Sequence, residues 1–106
     1  MALTLADCNT VYEALIKVVP YARVSLSTLG GAERSSIMIA LSLEARETWK
    51  NNIFENSRYM RIMIDTKDLR MENISGYGCG QMRAGKNKTL EQAIGKILAH
   101  IGKAGA

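Results

Sequence analysis

The sequence predicts an α+β fold: an antiparallel sheet of about four strands, built from two hairpins, with N- and C-terminal helices packed on one face as a two-layer sandwich. The first indication is a period-two apolar pattern from Met60 to Ile64, which resumes at Leu69 and Met71 after a polar turn. Successive side chains of a strand point to opposite faces, so this pattern is typical of a half-buried hairpin. The second indication is a pair of alternating segments around Gly30-Gly31, and the third is an apolar stripe at helical spacing near each end of the chain. At 106 residues the chain has the size of a single domain.

The first helix is predicted from Thr4 to Val19. Thr4 can cap it, and Asp7 three residues later completes the pattern of a capping box. Pro20 ends the helix, because proline pushes the residue before it out of the helical conformation. The residues expected to face the core share helical spacing: Val11, Tyr12, Leu15, Ile16 and Val19.

Two strands are predicted next, from Arg23 to Leu29 and from Ser36 to Ser42. The glycine pair between them accepts the positive φ of a hairpin loop. The second strand is apolar on both sides, with Met38 and Ala40 opposite its inward set, so we expect it to be central or covered on both faces. From Ser42 to Lys50 the sequence predicts a short helix followed by a loop.

A glycine-rich segment, residues 75–88, follows the central hairpin and holds four of the nine glycines. It is predicted to be irregular or a distorted edge strand. A final helix is predicted to begin at Thr89, with Gln92 completing a second capping box. Its core-facing stripe is expected to contain Leu90, Ala93, Ile94, Ile97, Leu98 and Ile101.

The basic residues are concentrated in the second half of the chain. Residues 1–56 carry five basic and six acidic groups, whereas residues 57–106 carry nine basic and four acidic groups. Such an asymmetry indicates an acidic partner, the alternative being that lysine and arginine simply solvate the surface.

Cysteine usage and the N-terminus indicate a reducing compartment. Cys8 and Cys79 lie in different contexts and do not form a disulfide framework, although a bridge between them stays open. We expect Cys79 to be accessible and Cys8 less so. The first residues lack the basic and apolar regions of a signal peptide, and the longest apolar run, Ile37 to Leu41, is too short to span a bilayer. The expected location is therefore the cytoplasm, without membrane contact.

Residues 80–87 are close to a P-loop pattern. That motif requires a hydroxyl-bearing residue where this chain has Asn87, and a parallel strand before it, so nucleotide hydrolysis is excluded. The loop is still suited to hold phosphate, free or in a nucleic-acid backbone. Glycines expose backbone N–H groups, the next helix contributes its N-terminus, and Arg83, Lys86 and Lys88 stand just before that helix. The alternative is a solvated loop whose basic residues favour solubility.

Lys86-Asn87-Lys88 and the helix that begins at Thr89 resemble the C-terminal part of the double-stranded-RNA-binding domain. That family also combines a helix, an antiparallel sheet, a loop and a last helix preceded by lysines. The resemblance implies that Lys86 and Lys88 contact phosphates. The chain departs from the family in its fourth strand, in the segment around Trp49 and in a first helix without the family's motif.

One face of the central hairpin carries Tyr59, Arg61 and Met63. An aromatic residue beside arginines on an open sheet is suited to stack on nucleic-acid bases. However, the predicted turn places Arg61 opposite Glu72 as a cross-strand ion pair, so we expect a structural role for Arg61. Arg70, expected opposite Met63, remains a candidate for contact with nucleic acid.

The leading hypothesis is a small non-enzymatic binding module that contacts RNA or DNA through Arg83, Lys86, Lys88 and Arg70. The alternative is a protein-binding accessory or inhibitor domain, of the kind that small viral genomes encode to block a host complex. In that case Trp49, Phe54 and Tyr59 form the interface, whereas their ordinary role is packing in the core. The oligomeric state is left open.

No catalytic, metal or cofactor constellation stands out in the sequence. His100 is the only histidine and is predicted on the solvent side of its helix, and the two cysteines are far apart along the chain. Metal sites and nucleophilic triads need such residues clustered. We therefore expect no metal, no cofactor and no enzymatic activity.

Overall fold

The computed structural model describes residues 3–28, 35–44, 59–77, 82 and 85–104, with the backbone alone for residues 75–77 and 104. In chain order it contains helix α1 (Leu5–Ile16), strands β1 (Tyr21–Ser27), β2 (Ser36–Ser42) and β3 (Tyr59–Asp65), a 3-10 turn (Lys67–Leu69), strand β4 (Met71–Tyr77) and helix α2 (Leu90–Ala104). The strands form one antiparallel sheet in the order β1-β2-β3-β4. The predicted α+β class, with a four-stranded sheet and a helix from each end of the chain packed against it, is confirmed.

Helix α1 begins with the predicted capping box. The Thr4 Oγ1 atom accepts a hydrogen bond from the Asp7 N–H at 3.2 Å, and Asp7 Oδ2 accepts one from the Thr4 N–H at 2.8 Å. The helix ends at Ile16 instead of Val19, and a turn follows in which the N–H groups of Val18 and Val19 both donate to the Leu15 carbonyl at 3.0 Å.

The apolar stripe of α1 is divided between two faces. Val11 and Leu15 are buried as predicted, but Tyr12 and Ile16 are 40% and 38% exposed, so the prediction was wrong for these two residues. Each successive residue of an α-helix is turned by roughly 100°, as 3.6 residues complete one turn. Once Val11 and Leu15 face the sheet, the residues that follow them lie outside the contact.

The sheet has an inner face, which packs against the helices, and an outer face on its opposite side. Strand β2 is central, as predicted, and keeps its predicted bounds. Strand β1 begins two residues earlier than predicted, at Tyr21. The buried residues of the inner face are Ala22, Ile37, Ile39, Leu41, Met60, Ile62, Ile64 and Met71.

Helix α2 covers the inner face through the residues expected of it. Ala93, Ile94, Ile97 and Ile101 are buried in the core cluster. Leu90 and Leu98, also predicted to be buried, lie half-buried at the edge of that cluster, as does Leu69.

The register of the β3–β4 hairpin differs from the prediction. Arg61 was expected opposite Glu72, but it pairs with Ser75, and Glu72 lies opposite Met63. Arg70, expected opposite Met63, belongs to the connection, where its carbonyl accepts a hydrogen bond from the Asp65 N–H at 2.8 Å. The pairing predicted between Arg61 and Glu72 was therefore wrong.

The physical reason is the conformation of the connection. Asp68 and Leu69 have φ values of 58° and 44°, in the left-handed region, and they lengthen the connection through Arg70. An irregularity between Arg61 and Ile62 shifts the pairing once more. One expectation holds, because Asp65 Oδ1 accepts a hydrogen bond from the Lys67 N–H at 3.1 Å, as an aspartate at the first corner of a turn can.

A buried serine joins the start of the chain to the sheet. Ser35 is 2% exposed, and its Oγ atom accepts a hydrogen bond from the Leu3 N–H at 2.9 Å and donates one to the Leu3 carbonyl at 3.1 Å. The same Oγ lies 3.0 Å from the hydroxyl of Thr66, which also donates to the Ser35 carbonyl. We call Leu3, Ser35 and Thr66 the serine latch.

Several predictions fall on other parts of the chain. Ser42 ends β2, and its Oγ accepts a hydrogen bond from the Glu44 N–H at 3.1 Å in a bend, while residues 45–50 of the predicted helix lie outside the described residues. Cys8 is buried, as expected, and Cys79 lies outside the described residues. Within the described ranges, no helix has the length and the apolar character needed to cross a membrane.

Candidate nucleic-acid interface

Residues 85–87 run antiparallel to the start of β4 and to the connection before it. The Gly85 carbonyl accepts a hydrogen bond from the Met71 N–H at 2.9 Å, and the Asn87 N–H donates to the Asp68 carbonyl at 2.9 Å. The Asn87 side chain is buried and donates from Nδ2 to the Leu69 carbonyl at 2.8 Å. The segment therefore follows the sheet edge as a distorted strand, and the asparagine that breaks the P-loop pattern anchors it.

This pairing brings together three of the predicted nucleic-acid contacts. Because Gly85 pairs with Met71 in an antiparallel bridge, their chain neighbours Lys86 and Arg70 lie close together. The Asn87 side chain is buried, whereas Lys86 and Lys88 on either side of it are exposed. Lys96 reaches the same place from α2, where its Nζ donates to the Lys86 carbonyl at 3.2 Å. We call Arg70, Lys86, Lys88 and Lys96 the basic corner.

Two acidic residues already contact the basic corner. Lys86 Nζ lies 3.6 Å from Asp68 Oδ2, and Arg70 Nε lies 3.8 Å from Glu72 Oε1. The side chains of both pairs are about half exposed or more, from 48% to 71%. Exposed ion pairs stabilise a fold by at most about 1 kcal/mol, so a phosphate can displace either carboxylate at little cost.

The start of α2 is capped by its own side chains. Thr89 Oγ1 accepts a hydrogen bond from the Gln92 N–H at 3.1 Å, as predicted. Gln92 Oε1 accepts its bond from the Lys88 N–H at 2.8 Å, one residue before the partner expected in a capping box. These two backbone N–H groups are thus engaged within the chain.

A groove of about 920 Å³ separates the starts of the two helices. The described residues that line it include three acidic ones, Asp7, Asp68 and Glu91, and one basic one, Lys88. Asn87 also lines the groove, and its Oδ1 is buried without a hydrogen-bond partner among the described residues. The charges of the described groove residues do not favour an anion, so the cations of the basic corner that lie outside the groove, Arg70, Lys86 and Lys96, are the better place for a phosphate.

The outer face of the sheet contains a depression of about 310 Å³. We call it the trough; the residues that line it are Tyr21, Arg23, Ser25, Met38, Ile39, Ala40, Tyr59 and Arg61. Arg23, Ala40 and Arg61 are paired across β1, β2 and β3 and so form one row on this face. Tyr21, Ser42 and Tyr59 form the next row. Two arginines thus stand on either side of the small Ala40, with two tyrosines beside them.

The predicted site residues fall into three groups. Arg70, Lys86 and Lys88 lie together in the basic corner, and Arg83, Trp49 and Phe54 lie outside the described residues. Tyr59 lies on the outer face and is only 3% exposed.

Two further cations, Arg23 and Lys96, were missed in the sequence. The alternation of β1 carried a signal for Arg23, because it assigns Arg23 to the outer face. Lys96 carried none, since it meets Lys86 only through the packing of α2.

The described residues hold no metal site and one perturbed thiol. No group of three or more histidine, cysteine, aspartate or glutamate side chains among them is arranged to hold a metal ion. Burial raises the pKa of the Cys8 thiol, and the neighbouring charge of Asp7 raises it further. A buried thiol of this kind is a poor nucleophile, because the thiolate is the reactive form.

Comparison with known protein families, with curated proteins and with solved structures finds no match. The likeness to the double-stranded-RNA-binding domain is therefore limited to Lys86, Lys88 and the start of α2, beside a sheet that has a fourth strand.

Proposed function

We propose that this chain is a small non-enzymatic binding module that contacts the phosphates of RNA or DNA through the basic corner. The observation that carries the proposal is the pairing of residues 85–87 with residues 68–71. It brings Lys86 close to Arg70, and both Lys86 and Lys88 are exposed. Phosphate contacts of this kind position a protein on nucleic acid without reading its sequence.

The charge of the second half of the chain supports the same proposal. Nine of its thirteen charged groups are basic, and the basic corner collects four of those nine although they lie far apart along the chain. The acidic residues of the groove at the helix starts repel an anion. We therefore assign phosphate binding to the basic side chains and not to this groove. Long-range attraction to a polyanion would then speed association at low salt.

The test reverses the two exposed lysines in a Lys86→Glu/Lys88→Glu variant. We expect it to lose affinity for both a mixed-sequence RNA and a mixed-sequence DNA. The slope of log K against log salt should flatten by about two units, since each lost phosphate contact contributes close to one. Fluorescence anisotropy at several salt concentrations measures both quantities, and circular dichroism checks the fold.

The matched control is a Lys17→Glu/Lys103→Glu variant. Both lysines are exposed and end the two helices, and both double variants lower the formal net charge from +4 to zero. Equal losses in the two variants would mean that overall charge, not the basic corner, controls binding. Unchanged affinity in a folded Lys86→Glu/Lys88→Glu variant would overturn the proposal.

A protein-binding role is the second candidate, favoured by an exposed apolar stripe on α1. Leu5, Tyr12 and Ile16 lie along one side of the helix, and Leu5 is 69% exposed. Exposed apolar surface of this kind is more typical of interfaces than of a free surface. If the charge reversal leaves activity intact while Tyr12→Ala removes it in a folded protein, an accessory or inhibitor role replaces the nucleic-acid role.

A further inference from the structure

We infer that the trough on the outer face binds unpaired nucleotides, so that the preferred ligand is a single strand of RNA or DNA and not a duplex. This inference rests on the proposed function and adds to it the class of nucleic acid. A duplex presents its phosphates to a protein but keeps its bases stacked inside, whereas a single strand can lay a base on a sheet. The trough and the basic corner would then act on different parts of one ligand.

The row of Arg23, Ala40 and Arg61 is suited to hold a phosphate. Adjacent strands are spaced by about 4.8 Å, so two spacings set the Cα atoms of the arginines about 10 Å apart across Ala40. A guanidinium group on a flexible stem can cover half of that span, so both arginines can reach one phosphate above the alanine. The planar guanidinium also pairs with phosphate through two parallel hydrogen bonds.

The charge of the trough is complementary to that of an anionic ligand. The described residues that line the trough include two guanidinium groups and no carboxylate. Arg23 is exposed and makes no hydrogen bond or ion pair with another described residue, which leaves it available to a ligand. The charged residues among the described lining of the trough are therefore all basic, which favours an anion.

The size and the lining of the trough suit a single nucleotide. The trough volume of about 310 Å³ lies at the lower end of small-ligand sites, which span roughly 300–1,000 Å³, and so suits one nucleotide better than a larger ligand. The small side chain of Ala40 leaves the floor of the trough open. Half-buried Tyr21 and Met38 provide a ring and a thioether on either side of that floor, both of which favour contact with a flat base.

The trough and Arg70 of the basic corner lie on the same face of the sheet. Arg70 lies opposite Asp65 at the end of β3, four residues beyond Arg61, which corresponds to roughly 13 Å along the strand. The row between them carries Met63 and Glu72, and Glu72 is already paired with Arg70. A short single strand can therefore run from the trough to Arg70 along this face, and Lys86 lies beside Arg70 at the edge of the sheet.

The experiment compares short oligouridine and oligothymidine with a mixed-sequence duplex of the same length. We expect Arg23→Ala to weaken binding of both single strands by about tenfold, the effect of losing one hydrogen bond to a charged group, and to leave duplex affinity within twofold. Ala40→Leu, which fills the floor without changing charge, should have the same selective effect. The ratio of single-strand to duplex affinity is the quantity measured.

Lys103→Ala is the control for charge, because Lys103 ends α2, on the inner side of the sheet. It should leave the ratio unchanged. If Arg23→Ala and Ala40→Leu lower single-strand and duplex affinity equally, or change neither, the inference is overturned, while the proposed function still stands on the result for Lys86 and Lys88. If the wild-type protein binds neither form at low salt, both proposals fail together.

Discussion

Ser35 is a small residue on which three distant parts of the chain depend. Its hydroxyl satisfies both backbone groups of Leu3, and its carbonyl accepts from the backbone and the hydroxyl of Thr66. Leu3 and Ser35 are buried, so a hydrogen bond lost between them is not replaced by water. Its contribution to stability is thus larger than the size of the side chain indicates.

The serine latch gives a prediction for Ser35→Ala. We expect the free energy of unfolding to fall by about 1–3 kcal/mol, since the Leu3 N–H is left buried without an acceptor. Ser25→Ala, at an exposed position of β1, is the control and should change stability by less than about 0.5 kcal/mol. Urea unfolding measures both, and a Ser35→Ala loss no larger than that of the control would contradict the role of the latch.

Cys8 gives a prediction for the dependence of stability on pH. Its pKa is raised in the folded state, first by burial and then by Asp7, so the unfolded chain releases this proton at a lower pH than the folded one. The stability that the neutral thiol contributes is full below the unfolded pKa of about 8.5 and is lost as the pH rises through the folded pKa. The free energy of unfolding should therefore fall with pH in the alkaline range.

Cys8→Ala isolates this effect, because Cys79 and the other alkaline groups titrate in both proteins. Between about pH 8 and pH 10 the wild-type protein should lose more stability than the variant, as measured by urea unfolding at each pH. Parallel profiles for the two proteins would show that burial of the thiol does not control its ionisation.

Helices α1 and α2 differ in how completely the core uses their apolar residues. Ile97 of α2 is fully buried, whereas Ile16 of α1 is 38% exposed. Ile97→Ala should therefore lower the free energy of unfolding by about 2–5 kcal/mol, through lost burial and the cavity left behind. Ile16→Ala should change it by only about 0.5 kcal/mol, the level of a surface substitution. Comparable losses in a thermal or urea unfolding experiment would contradict the division of α1 into two faces.

Each element was predictable to the extent that its signals are local. The caps at Thr4 and Thr89 could be read directly, because a cap depends on residues three positions apart. The exposure of Tyr12 could not, since five apolar residues cover a wider arc than one contact face and only the sheet decides which of them is buried. The β3–β4 register also escaped prediction, because it depends on left-handed backbone at Asp68 and Leu69, which neither residue requires.

At the scale of the whole molecule, the candidate site could be predicted only in part. Lys86 and Lys88 were found because they are close together and precede a helix. Their alignment with Arg70 depends on hydrogen bonds across 18 positions of sequence, such as that from Asn87 to Leu69. The trough depends on the pairing of three strands, and no local pattern sets Arg23 and Arg61 on either side of Ala40. The arrangement of both sites therefore depends on pairing between residues far apart in the sequence, which local patterns do not predict.

The order of the strands in the sheet has a consequence for how fast the chain folds. Every strand pairs with the next one along the chain, so each ladder can close as soon as its own loop closes, and the entropy lost rises only slowly with loop length. Contacts of low sequence separation are associated with rapid folding. The contact of α1 with α2 joins opposite ends of the chain and has no short loop to assist it. Hydrogen exchange during refolding should accordingly protect the β1–β2 amides before those whose burial requires both helices to be docked.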